Sequence, residues 1–141
     1  MSQSDAQKAL VAAAQSFLTA QGFASDSVNW ENQNFDPAGK PKWASVFYVP
    51  NQPNAVSMGR QGLDRITGFL QIDFNVPQGS GDGAFHALVD AARLEFSAGK
   101  VYTRNGVAVI VESTGISQGR IIDNFFRKSL TIVFRADLQR P

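Results

Sequence analysis

Arg65-Ile-Thr-Gly68-Phe-Leu-Gln-Ile-Asp-Phe-Asn-Val-Pro77-Gln-Gly79-Ser-Gly81-Asp-Gly83 is the stretch whose reading decides the fold. From Ile66 to Val76 it alternates. Ile66, Gly68, Leu70, Ile72, Phe74 and Val76 share one face; Thr67, Phe69, Gln71, Asp73 and Asn75 share the other. Period two over this length predicts a long strand with one dry and one wetter side. Pro77 ends it, three glycines turn the chain, and apolar spacing at Phe85, Leu88, Val89, Ala92 and Phe96 predicts a helix over 84–97, closed by Gly99.

Working outward, Leu10, Val11, Ala14, Phe17 and Leu18 place a first helix over 5–21. Ser4 or Asp5 is the expected cap and Gly22 the expected stop. A polar connection over 24–42 holds a short strand around Val28 and Trp30. Strands are expected at 43–49, 55–58, 66–76, 100–103, 107–113, 119–123 and 128–138. Asn105-Gly106 is a two-residue hairpin signal, and Asp123 to Lys128 reads as a turn. The fold class is therefore α+β: an antiparallel or mixed sheet with two helices on one face, in the order α-β-β-β-α-β-β-β-β. At 141 residues and 43% apolar content, residues 1–141 are expected to form one domain.

Two helices cover only one face. Val107 to Val111 is apolar at successive positions, and Trp43 to Val49 behaves similarly, so the second face also requires cover. A second sheet from the same chain or a neighbouring subunit would supply it; with two helices available, the neighbouring subunit is expected.

The chemistry classes thin out quickly. Gly79-Ser-Gly81-Asp-Gly83-Ala84 fits a dinucleotide-binding pattern, but Lys100 to Arg104 carries no ribose-binding acid and no Walker lysine is present. The plainer reading is a turn in which Ser80 or Asp82 caps the following helix. His86, the one histidine, stands four residues before Asp90 on a polar helix face with no nucleophile motif. Cysteine is absent, which removes disulfides and thiol chemistry, and the acids are scattered without metal-ligand spacing. The expectation is no enzyme, no cofactor and no metal. A formal net charge of +1 gives no basic field for holding nucleic acid, and the cations are not interleaved with aromatic residues. No apolar run is long enough to span a bilayer, and the N-terminus lacks signal-peptide character, so a soluble protein is expected.

In order and spacing, several features resemble those of the phage tail terminator, or tail completion, proteins of long-tailed phages. Trp43 opens a strand that ends in Pro50, and Met58-Gly-Arg60 follows. Arg65-x-x-Gly68-x-Leu-x-Ile-x-x-x-Val-Pro77-x-Gly-x-Gly81 comes next, then Leu94-Glu-Phe96 and Phe126-Arg-Lys-Ser-Leu-Thr-Ile-Val-Phe134. The resemblance implies a ring, commonly a hexamer, that caps the head-proximal end of the tail tube and docks the neck. Its partners would be copies of itself, the tail tube protein and a head-neck connector or stopper protein. DNA would pass through the lumen without specific binding. The protein would assemble in the host cytoplasm and reside in the virion. The resemblance names no catalytic positions. Candidate interface or lumen residues are Arg60, Arg65, Asp73, Arg127 and Arg135, with the loops 31–42, 51–62 and 77–83. Two alternatives remain open: another ring-forming neck or tube component, and a small-ligand-binding or enzymatic α+β domain.

Overall fold

The computed structural model describes residues 2–31, 33–79 and 83–139. Its first element, α1 (Gln3–Ala20), buries Ala6, Ala9, Leu10, Ala13, Ala14, Phe17 and Leu18 along one stripe. The cap is Ser2, not Ser4 or Asp5: its Oγ accepts from the Asp5 amide at 3.2 Å. This start places Asp5 in the first turn, where a carboxylate complements the positive end of the helix dipole. The helix ends as expected at Gly22 (φ 85°), with Phe23 N–H bonded back to Leu18 O and Gly22 N–H to Thr19 O.

Four strands precede the second helix: β1 (Val28–Trp30), β2 (Trp43–Pro50), β3 (Asn54–Ala55) and β4 (Leu63–Pro77). After α2 (Gly83–Glu95) come β5 (Val101–Arg104), β6 (Val107–Ile116), β7 (Arg120–Ile122) and β8 (Phe125–Gln139). The expected α+β class holds, with β1 as one strand more than the stated order. All eight strands form one mixed, curled sheet in the order β1-β2-β4-β8-β6-β5; β3 pairs with β4 and β7 with β8. Only β1 and β2 run parallel, because the 31–42 connection returns the chain to the same end of the sheet.

Several boundaries differ from the sequence reading. The β3 pairing stops at Ala55 because the Leu63 amide donates to Ser57 Oγ, which closes the hairpin and leaves Met58 at its tip. The turn before β8 is only Asp123-Asn124, both in the left-handed region, so Phe125 is already strand. The second helix stops at Glu95, not Ser97, as side chains from β5 and β6 take over its last carbonyls. Tyr102 Oη donates to Glu95 O at 2.9 Å, and Thr114 Oγ1 donates to Phe96 O. The proposed capping residues Ser80 and Asp82 lie outside the described residues.

The core lies between the helices and one sheet face. Phe74 is fully buried and meets Phe17 and Phe23 with ring centroids 6.4 and 6.0 Å away; Phe17 also meets Phe96 at 5.4 Å. Phe85 of α2 packs edge-on against Phe126 of β8. Both helices thus cover the same face. Gly68 interrupts this face, and its register partner Pro50 of β2 lies close beside it. A Cβ there would lie 2.4 Å from Val49 O and 2.8 Å from Pro50 Cα. An isolated glycine in a strand marks such an approach.

Candidate assembly surface

Among the described residues, no second sheet lies over the opposite face. It divides into three bands along the strands, set by the register of β2, β4 and β8. The first band is polar, yet buried. Asn75 is fully buried, and Ser45, Asp73 and Ser129 are nearly so. Asp73 Oδ1 accepts from Ser129 Oγ at 2.5 Å and from Gln71 Nε2 at 2.9 Å. Arg120 donates to Ser129 Oγ at 3.0 Å, and Arg127 Nε donates to Asn75 Oδ1 at 2.7 Å. Low dielectric strengthens such a network when its members are satisfied.

The chain itself supplies the cover over this band. Phe35 of the 31–42 loop packs on Trp43, Phe125 meets that indole edge-on, and the Arg127 guanidinium stands 5.7 Å from the ring. Strand pairing brings Arg127 beside Trp43, a neighbour that the linear order of the chain does not show. Trp43 Nε1 is buried with no hydrogen-bond partner.

The second band is apolar. Val49, Phe69 and Val133 stand in neighbouring register positions of β2, β4 and β8, with Phe47 one pair further along β2. Phe47 and Val49 are 37% and 40% exposed, and Phe69 and Val133 are half-buried. The third band is charged. Arg65 Nε donates to Asp137 Oδ1 at 2.8 Å and its Nη2 to Oδ2 at 3.1 Å. That bond holds the Asp137 carboxyl below the usual carboxylate range and raises Arg65 in turn. Arg135 Nε lies 3.9 Å from Glu112 Oε1.

The named candidates thus separate. Asp73 and Arg127 sit in the buried polar band, Arg65 and Arg135 in the charged band, and Arg60 in the exposed β3–β4 loop, away from both. Sequence reading missed Asn75, Ser129, Ser45 and Trp43 as partners. Alternation puts them on one face, but only the register Asp73↔Ser129 and Trp43↔Asn75 brings them together.

Elsewhere, a cleft of about 420 Å3 between α1 and the β1–β2 edge is lined by Val11, Trp30, Glu31 and Tyr48 among others. Burial raises the Tyr48 hydroxyl to about 12. Among the described residues no group of three or more His, Asp or Glu converges as a metal site, and no helix is long and apolar enough to cross a membrane.

Two helices on one face of a curled sheet, with an amphipathic band bared on the other, define an α+β subunit shaped for contact. The family model of the phage tail terminator protein matches residues 6–133. One solved structure covers 92% of this chain and 94% of its own at a TM-score of 0.66 and 19% identity, a likeness of fold. No curated protein matches the sequence. The chain belongs to the phage tail terminator protein family. It is a structural component of the phage virion, and its partners lie in the assembly of the tail or neck.

Proposed function

We propose that this subunit joins copies of itself in a ring, a hexamer, that caps the head-proximal end of the tail tube, stops tube growth and offers the docking surface for the neck. The observation that carries the reading is the bared band of Phe47, Val49, Phe69 and Val133 beside the charged rim of Arg65, Asp137, Arg135 and Glu112. An apolar centre with a polar rim is the anatomy of a contact surface between subunits. Its mechanism is steric: the ring covers the last tube layer, and the tube protein finds no further site. Arg65 and Arg135 take part at the rim, while Asp73 and Arg127 hold the surface in shape. A net charge of +1 suits a conduit that lets DNA pass without gripping it, because each phosphate contact would add salt-dependent affinity.

The test is removal of the protein during phage assembly, with the particles viewed by electron microscopy. Overlong tubes, or tails that never join heads, are expected. Tails of normal length joined to heads would overturn the reading. Native mass spectrometry of the protein, alone and with tail tubes, checks the ring separately.

A further inference from the structure

Four strand arginines stand on the bared face, and they are not provided for alike. Arg65 and Arg135 each meet a carboxylate of their own chain, Asp137 and Glu112. Arg120 and Arg127, at the other end of the face, form no ion pair among the described residues. Strand pairing nonetheless sets them directly opposite each other. They are register partners of β7 and β8, so both side chains leave the same face with Cβ atoms about 5 Å apart. Like charges placed in this way repel.

Both are held by neutral acceptors. Arg127 Nε donates to Oδ1 of the fully buried Asn75 at 2.7 Å, and its two Nη nitrogens are unengaged among the described residues. Arg120 donates one bond from each Nη, to Ser129 Oγ at 3.0 Å and to Ser117 Oγ at 3.4 Å. Asp73, the carboxylate of this band, is engaged by Ser129 and Gln71 instead. Two positive charges therefore stand against one negative. The buried Trp43 Nε1, which has no acceptor, belongs to the indole over which the Arg127 guanidinium stands. The unmet groups here are donors, the complement of an oxyanion.

A guanidinium fork matches a planar carboxylate, and one carboxylate would balance the excess charge. A DNA phosphate is the poorer fit, because two cations beside a buried Asp73, in a chain of net charge +1, make no extended basic track. Position points to the source. Same-face positions of β8 run Arg127, Ser129, Thr131, Val133 and Arg135, so the pair shares its face with the apolar band and lies about 20 Å from Val133. An interface of about 800 Å2 per partner spans that distance. A second copy has acids to offer: Glu31, Asp36, Asp90 and Asp123 are exposed and form no ion pair among the described residues.

We infer that Arg120 and Arg127 form a clamp for one carboxylate side chain of the neighbouring copy. The inference rests on the ring reading and names one of its contacts. Arg120→Gln removes the charge at an exposed position and keeps a donor for Ser129. Association, followed by native mass spectrometry and light scattering under assembling conditions, should weaken about tenfold or more, with the thermal midpoint of the free subunit unchanged. Arg120→Glu should weaken it further. In that background, one reversal among Glu31→Arg, Asp36→Arg, Asp90→Arg and Asp123→Arg should restore association. If rings form and Arg120→Gln assembles like the wild type, the clamp is overturned and the ring reading stands. If none of the four reversals restores assembly, the acid does not come from a neighbouring copy and the inference is overturned. Binding of a short DNA duplex that Arg120→Gln abolishes would make this a phosphate site and overturn it equally. If the wild-type protein forms no ring, alone or on tail tubes, the ring reading fails and the inference with it.

Discussion

The two faces of the sheet are built from the same strands and behave as different materials. On the helix face, Phe74, Leu70, Ile132 and Phe134 are wholly buried, and aromatic contacts tie both helices to the sheet. On the other face, a polar network is sealed at one end, an apolar band is left half bare in the middle, and ion pairs in water edge the rest. The first face holds the subunit together. The apolar and charged bands of the second cost the subunit little if altered, which frees them for contacts outside the chain.

That contrast can be broken or sharpened by substitution. Phe74→Ala removes a ring that two other phenylalanines touch, and a loss of about 3–5 kcal/mol is expected from the denaturant midpoint. Next in size is Gly68→Ala. A Cβ placed 2.4 Å from Val49 O forces β2 away from β4, and a loss of about 1–3 kcal/mol is expected in the same measurement. An unchanged midpoint would mean that β2 does not lie so close beside Gly68 of β4.

A smaller effect depends on pH. Hydrogen bonds from Asn105 first, and then from Ser2, hold the Asp5 carboxyl below its ordinary value of 3.8. A depressed carboxyl adds stability that is complete above that ordinary value and is lost as pH falls through the folded one. Wild-type stability should therefore drop on acidification below about pH 4, and Asp5→Asn should flatten that slope in a titration of the denaturant midpoint.

Smallest for the fold is Arg135→Glu on the bare face. Its ion pair with Glu112 is exposed and long, so the free subunit should keep its stability within about 0.5 kcal/mol. Ring assembly or neck docking should change nonetheless, as judged by native mass and by the fraction of tails joined to heads. Unchanged assembly would remove Arg135 from the contact surface.

Much of the dry face was legible because it obeys one period. Ile66 to Val76 alternates apart from Gly68 and Phe69, and Asn105-Gly106 marks a hairpin with both residues at positive φ. The Asp123-Asn124 turn has the same left-handed geometry but no glycine, so its signal was diluted over six residues and β8 was read as starting three residues late. Asparagine and aspartate tolerate that conformation through their short polar side chains, which makes the turn possible and hard to see. The wet face was legible in sign but not in pairing. Asp73 and Ser129 lie 56 positions apart, and only the register of two fifteen-residue strands brings them to one hydrogen bond. Phe35 over Trp43 was beyond reach for a different reason: a loop residue has no period to follow.

The place of β8 in the sheet carries a consequence for synthesis. It is the final strand of this chain, yet it lies at the centre, joined to β4 along fifteen residues and also to β6 and β7. Its pairs reach back as far as Leu63↔Gln139. Until the ribosome has released that segment, no strand pairs β2 and β4 on one side with β5 and β6 on the other. The sheet therefore closes only after Gln139 has been made, through long-range pairings of the kind that fold slowly. No chain that stops short of β8 can present the finished surface to a growing tail.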